Sequence, residues 1–286
     1  MPNKGRKGSL MKNNIAMSTN SYHGFTVDQA LEGIATAGYE YVEMVAVRGW
    51  TEHIMPDMPD AELGRIQKKM KDLGLTPVGL SGHCNLMDQD RLKDFGRNIE
   101  LAHRLGVQYI VSSTGEAHFG EEEGKNDEIL VKNIKTLLPA LEKYGITMVL
   151  ELHGEYAKGE DMARVTRAVN SPYVGINYDT ANVLFFGGVS PMDDIKTCAD
   201  QVKYVHLKDK IGGKGLWNFP STGKGELPLK EFMEYMDGCD YAGPYSIEIE
   251  FTEDYTMRDK DQPGDLEKAD QAAKDAYAYL KSIGRA

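Results

Sequence analysis

From Thr147 the chain reads Thr-Met-Val-Leu-Glu-Leu-His-Gly (147–154), a short apolar run that ends on a carboxylate and then meets glycine. Such a run is too short for a helix and is bounded by turn residues, so it is read as a strand buried on both faces. The pattern recurs downstream. Val-Gly-Ile-Asn-Tyr-Asp (174–179), Val-Lys-Tyr-Val-His (202–206) and Tyr-Ser-Ile-Glu-Ile-Glu (245–250) each carry an apolar run into an acid or an imidazole. Upstream, Ile15 to Thr19, Tyr41 to Met44, Thr76 to Ser81 and Tyr109 to Ser112 complete a set of eight candidate strands.

The segments between them have helical periodicity. Thr26 and Gln29 have capping-box spacing ahead of Ala30, Leu31 and Ile34, and Gly38 stops that helix. Further helices are predicted over Ala61 to Leu73, Arg91 to Leu105, Asp127 to Tyr144, Asp161 to Val169, Met192 to Ala199, Leu229 to Met236 and Leu266 to Ile283. Several end in a glycine turn that leads into the next strand, at Gly74, Gly106 and Gly145. Buried strands alternating with helices imply βα units around a parallel sheet. Eight units predict an α/β fold, a (β/α)8 TIM barrel, as one domain over residues 14–286; such a barrel needs about 250 residues. An open doubly wound sheet is the rival, but it normally carries a Gly-rich βα turn such as GxGxxG, absent here in that context.

The formal net charge of −11 and pI near 5.2 oppose nucleic acid and anionic membrane as default partners. The one basic cluster, Lys4, Arg6, Lys7 and Lys12, falls in residues 1–13, which are expected to be a disordered leader. The chain shows no run long and apolar enough for a membrane span, and the leader lacks the apolar region of a secretory signal. Cys84, Cys198 and Cys239 are too few and too widely spaced for a disulfide framework. A cytoplasmic location with reduced thiols is therefore expected.

In a barrel of this kind the active site gathers at the C-terminal ends of the strands. Glu151, Asp179, His206 and Glu248 stand there, at intervals of 28, 27 and 42 residues, so they are expected to point into one pocket. Three carboxylates in a partly dry barrel mouth repel one another and are costly to desolvate. A divalent metal ion removes that conflict. The oxygen-rich set suits Mn2+ first, with Mg2+, Co2+ and Zn2+ also compatible.

The motifs Leu150-Glu151-Leu152-His153-Gly154, Tyr178-Asp179-Thr180-Ala181-Asn182, His206-Leu207-Lys208-Asp209 and Gly243-Pro244-Tyr245-Ser246-Ile247-Glu248 resemble those of the xylose-isomerase-like TIM-barrel family. That family includes ketose 3-epimerases, hydroxypyruvate isomerase, inosose dehydratase and, acting on DNA, endonuclease IV. The resemblance implies that Glu151, Asp179, His206 and Glu248 ligate the metal, and that Glu151 and Glu248 exchange protons with a small sugar substrate. The chemistry is consistent: a carboxylate removes a proton next to a carbonyl while a metal stabilises the enediolate. One position departs. Many epimerases of the family have a histidine three residues after the sixth-strand aspartate, and here that residue is Asn182. This weakens the case for simple 3-epimerisation and opposes the trinuclear zinc site of endonuclease IV.

His153, two residues after Glu151, shares its inward parity and is a candidate acid or base. It suggests the second reading, a lyase or dehydratase acting on a keto-sugar, a 3-keto-glycoside or an inosose, similar to C-glycoside deglycosidase catalytic subunits. Glu43, His83, Glu116, His118, Asn182 and Lys208 are candidate substrate contacts near strand ends. The Gly-rich loop from Lys210 to Gly225 carries Trp217 and Phe219 and is expected to act as a lid, with Trp50 as the opposite wall. The leading expectation is thus a metal-dependent sugar isomerase or epimerase with Glu151 and Glu248 as its acid/base pair. A homo-oligomer is expected, with a small partner subunit if the lyase reading holds.

Overall fold

The computed structural model describes residues 13–115, 124–252, 255–256 and 265–286. The candidate contacts Glu116 and His118, and the basic leader up to residue 12, lie outside them. Asn13, the last residue assigned to that leader, donates from its side-chain amide to the carbonyls of Tyr241 and Gly243 at 3.2 and 2.7 Å.

The barrel strands are β1 (Ile15–Ser18), β2 (Tyr41–Val47), β3 (Thr76–Ser81), β4 (Tyr109–Ser112), β5 (Thr147–Glu151), β6 (Val174–Asp179), β7 (Val202–Leu207) and β8 (Tyr245–Ile247). Each pairs in parallel with its sequence neighbour, and β8 returns to β1, so the sheet closes. The two-residue strand Thr51–Glu52 adds antiparallel to the end of β2 and forms a tight hairpin carrying Trp50 at its tip.

Around the sheet lie α1 (Val27–Ala37), α2 (Asp60–Asp72), α3 (Gln89–Leu105), α4 (Asp127–Tyr144), α5 (Gly159–Val169), α6 (Leu229–Gly238) and α7 (Asp265–Ser282). The predicted capping box is formed: Thr26 Oγ1 accepts from Gln29 N, and the Gln29 side chain accepts from Thr26 N. Gly106 and Gly145 close α3 and α4 at φ 81° and 66°, a left-handed conformation that costs glycine nothing.

The sixth unit departs from expectation. Met192 to Ala199 is not one helix but a short turn of helix, Pro191–Asp194, followed by 3-10 turns Ile195–Thr197 and Ala199–Gln201. The Asp194 carboxylate accepts from Gly159 N at 2.9 and 3.0 Å and meets the Tyr178 hydroxyl at 3.1 Å. Those tertiary bonds hold the segment against α5 and β6, and they outweigh its weak helical preference.

Strand alternation then sorts the side chains. Met148, Leu150, Ile176, Tyr178, Val205 and Leu207 belong to the large core beneath the helices. Val111, Val149 and Tyr204 form a separate cluster, with Tyr109 packed against it. Glu151 and His206 are two residues beyond Val149 and Tyr204, so they share that second facing and stand one layer above an apolar floor. No described helix is long and apolar enough to cross a membrane.

Candidate active site

The four residues expected to converge do so. Glu151, Asp179, His206 and Glu248 are all buried, and one ligand atom from each lies within 4.8 Å of the others. Parity puts them in the same layer, but register decides their height. A bulge between Ile176 and Asn177 shifts the β6–β7 pairing so that Asp179 stands directly beside His206.

His206 is gripped from both sides. Its Nδ1 faces Glu151 Oε1 at 2.8 Å and Glu248 Oε2 at 3.8 Å, while Nε2 meets both oxygens of Glu43 at 3.1 and 3.2 Å. Burial would lower the His206 pKa, but Glu43, Glu248 and Glu151 together raise it well above the usual value. Glu43 is fully buried and also accepts from Ser18 Oγ at 3.1 Å. Glu43, expected near substrate, stands behind His206 and is not among the residues that line the cleft.

Glu151 has a second imidazole on it. His83 Nε2 lies 2.7 Å from Glu151 Oε2, and Ser81 Oγ holds the other ring nitrogen at 2.8 Å. Burial would raise the Glu151 pKa, yet His83 and His206 drive it well below the ordinary carboxylate range. Asp179 behaves differently. Its Oδ1 accepts from the backbone of Ala181 and Asn182, both at 2.8 Å, whereas Oδ2 is buried with no hydrogen-bond partner among the described residues. Burial pushes Asp179 up to about 7, with Lys208 pulling down and Glu151 and Glu248 pushing up.

A buried carboxylate oxygen with no hydrogen bond, and with the Lys208 ammonium 3.9 Å away, is costly, so its presence asks for a closer cation. Asp179 Oδ2, the facing oxygens of Glu151 and Glu248, and a ring nitrogen whose partner nitrogen is already anchored fit a divalent ion, and the four residues can hold one.

Lys208 completes the floor. Its ammonium lies 2.9 Å from Glu250, 3.2 Å from Glu248 and 3.9 Å from Asp179, and 4.5 Å from the centre of the Phe219 ring. Burial would lower its pKa, but Glu248, Glu250 and Asp179 outweigh it and hold the ammonium charged.

Above the cluster lies a cleft that opens to solvent. His83, His153, Asn182, Lys208, Trp50 and Trp217 all line it, as do Glu151 and Glu248; Asp179, His206 and Glu43 do not. His153 packs on Phe186 with ring centres 4.4 Å apart, and burial pushes its pKa down to about 4. Six further lining residues were not anticipated: Asn20, Val45, Val47, Ser81, Phe186 and Glu250. Glu250 was legible, since it repeats the parity of Glu248; Asn20 in the turn Thr19–Tyr22 had no sequence signal.

The loop expected to be a lid is braced to its base. Asp209 Oδ2 accepts from Gly223 N and Gly225 N, both at 2.9 Å, and Lys210 Nζ donates to the carbonyls of Ile211 and Leu216. Phe219 is buried beneath Lys208 rather than facing substrate, while Trp217 stays 44% exposed at the rim.

The sequence profile described as xylose isomerase-like TIM barrel matches residues 31–283. Inosose dehydratase from Geobacillus kaustophilus (strain HTA426) is 22% identical over 200 residues, covering 65% of this chain and 62% of that protein. The C-glycoside deglycosidase alpha subunit from Arthrobacter globiformis is 24% identical over 182 residues, covering 56% and 44%. The chain thus aligns with less than two thirds of the length of either relative. Among solved structures, D-psicose 3-epimerase in the presence of D-fructose superposes with a TM-score of 0.75 at 18% identity, covering 96% of this chain and 100% of the other. The IOLI protein with a binding zinc atom superposes with a TM-score of 0.72 at 17% identity, covering 95% and 98%.

Proposed function

The chain belongs to the xylose isomerase-like TIM barrel family, and from that premise we propose that it is a divalent-metal-dependent isomerase or epimerase of a small sugar. The observation that carries this reading is a division within the ligand set. Of the four clustered residues, only Glu151 and Glu248 also line the cleft. Each therefore offers one face to a cation and another to a substrate, which is what a pair that moves a proton on and off carbon requires.

A cation held by Glu151, Asp179, His206 and Glu248 would supply Lewis acidity for the negative charge that develops when a proton leaves carbon beside a carbonyl. The three-carboxylate, one-imidazole set favours Mn2+ or Mg2+ over a structural Zn2+ site. The protein groups do the rest. Glu151, kept ionised by His83 and His206, stands on one carboxylate arm of the cleft. Glu248, whose pKa burial would raise but Lys208 and His206 lower, is ready on the other carboxylate arm. Asn182 and Lys208 offer donors to substrate oxygens, and Trp50 and Trp217 offer apolar faces for a sugar ring.

A second reading is favoured by His153. It lines the cleft, separate from the four clustered residues, and being neutral at pH 7 it can accept a proton or hydrogen-bond a substrate oxygen, a second group beside Glu151 and Glu248 that a lyase can use. The two relatives, named as a dehydratase and a deglycosidase subunit, support that reading for this chain.

The test is proton exchange followed by NMR in D2O with Mn2+ or Mg2+, across ketoses, inososes and 3-keto-glycosides. Carbon-bound deuterium in an intact skeleton, lost in Glu248→Gln and kept in His153→Ala, supports the isomerase. Release of a substituent that depends on His153 moves the assignment to the lyase. No exchange with any of these substrates refutes both.

A further inference from the structure

Asn20 lies in the 3-10 turn Thr19–Tyr22 that follows β1, and it is 6% exposed. Its side-chain NH2 donates to Glu248 Oε1 at 2.9 Å. Its Oδ1 accepts from Trp50 Nε1 and from Thr51 Oγ1, both at 3.0 Å. An indole N–H can only donate, so the amide oxygen must face Trp50 and the NH2 must face the carboxylate. The orientation of Asn20 is therefore forced by its partners.

The far side of this bridge is rigid. Trp50 sits at the tip of the hairpin formed by the end of β2 and Thr51–Glu52, with its backbone N bonded to the Val47 carbonyl at 3.1 Å. Its ring stacks on His23 with centres 4.0 Å apart, and His23 Nδ1 lies 2.7 Å from Thr51 Oγ1. The near side is Glu248, the carboxylate proposed as both metal ligand and proton carrier. With Oε1 held by Asn20, it is Oε2 that turns toward the cluster, 3.8 Å from His206 Nδ1 and 3.2 Å from Lys208 Nζ.

We propose that Asn20 is a positioning residue: it divides the two oxygens of Glu248, reserving Oε2 for the cation and Oε1 for the substrate side, and ties that division to the Trp50 wall. This rests on the metal-dependent proton transfer proposed above. A carboxylate released from Asn20 can rotate and chelate through both oxygens, which removes the one that faces the reacting carbon. A sugar ring resting on Trp50 is, through a single side chain, in register with the group that moves its proton. Asn20 itself touches no reacting atom.

The experiment uses the full chain loaded with Co2+, whose visible absorption reports coordination geometry. Calorimetric titration gives stoichiometry, and deuterium exchange into whichever keto-substrate the wild type turns over gives kcat and KM. Three variants are compared: Asn20→Ala, Trp50→Phe, which keeps the ring and removes only the N–H donor, and Thr51→Val, which removes the second donor from outside the cleft. Thermal melts identify any variant that fails to fold, and the other two then carry the test.

The expected result is one bound ion in each variant, an altered absorption spectrum, and kcat lower by about 10–100-fold in Asn20→Ala, with smaller losses of the same kind in the other two. A residue that merely shapes the wall moves KM alone and leaves the spectrum as it was. Wild-type spectra and wild-type kcat in all folded variants overturn the positioning role while leaving the metal-dependent function standing. Failure of the wild type to take up Co2+ overturns the function, and this inference with it.

Discussion

Replacing Glu43 probes the metal site from behind. Glu43 meets the far nitrogen of His206, at 3.1 and 3.2 Å, and Ser18, and it stands outside the four-residue cluster that could hold the ion. With an ion on Nδ1, the Nε2–H donates to a carboxylate, a charge-assisted bond worth about 1.5–3 kcal/mol. At about 1.4 kcal/mol per tenfold change, that is roughly 10–100-fold in affinity, the range usual for the carboxylate behind a metal-bound histidine. Glu43→Gln keeps an acceptor of the same size and loses the charge, so it should weaken Mn2+ or Co2+ binding by about tenfold. Glu43→Ala also opens a buried space and frees the ring to turn, and should approach 100-fold. Isothermal titration of metal-stripped protein, with a melt to confirm folding, measures both. Binding within about threefold of wild type in both folded variants would refute the claim that Glu43 orients and charges His206.

Asp179 has a folded pKa of about 7, raised by burial above its unfolded value, so between about pH 4 and 7 the metal-free native state holds a proton that the unfolded chain has lost. Its contribution to stability is therefore present at low pH, declines as pH rises through that window, and is flat above it. Denaturation of metal-free wild type and Asp179→Asn from pH 4 to 8 should show the variant gaining relative stability by a few kcal/mol as pH rises, and a constant difference would count against it. Asp179→Asn should also lose metal binding by more than about 100-fold, because the orphaned Oδ2 becomes an amide, which titration with Co2+ checks directly. His153, held down to about 4, stays neutral across pH 5.5–8, so steps that depend on it should show no titration there; a His153-linked inflection near 6.5 in the pH profile of His153→Ala against wild type would contradict its placement. The chain has two tryptophans, and both line the cleft. Saturating substrate should change intrinsic fluorescence in wild type and, through Trp50, in Trp217→Phe; unaltered emission in both would place the substrate elsewhere.

Much of the fold was legible in the order of short apolar runs and helical segments, because the two periodicities, 2 and 3.6, are local properties of the chain. The sixth helix was not, since Asp194 is recruited by Gly159 and Tyr178, partners 35 and 16 residues away that no local pattern reveals. The candidate ligands were legible for the same reason as the strands. An acid or imidazole that continues the inward parity of a buried strand has nowhere to go but the barrel mouth, so Glu151, Asp179, His206 and Glu248 could be named from spacing together with family resemblance.

What each carboxylate does there was decided only by the tertiary structure. The bulge between Ile176 and Asn177 brings Asp179 level with His206, and the shift between Val42 and Glu43 in the β2–β3 pairing marks where Glu43 meets the ring rather than the cleft. The orphaned oxygen of Asp179, the His83 grip on Glu151 and the Asn20 bridge from Trp50 to Glu248 join residues far apart in sequence. A sequence states which side a residue faces, because alternation is set by neighbouring dihedral angles. It does not state which atom of another strand lies opposite, because that depends on register and loop closure summed around the whole barrel.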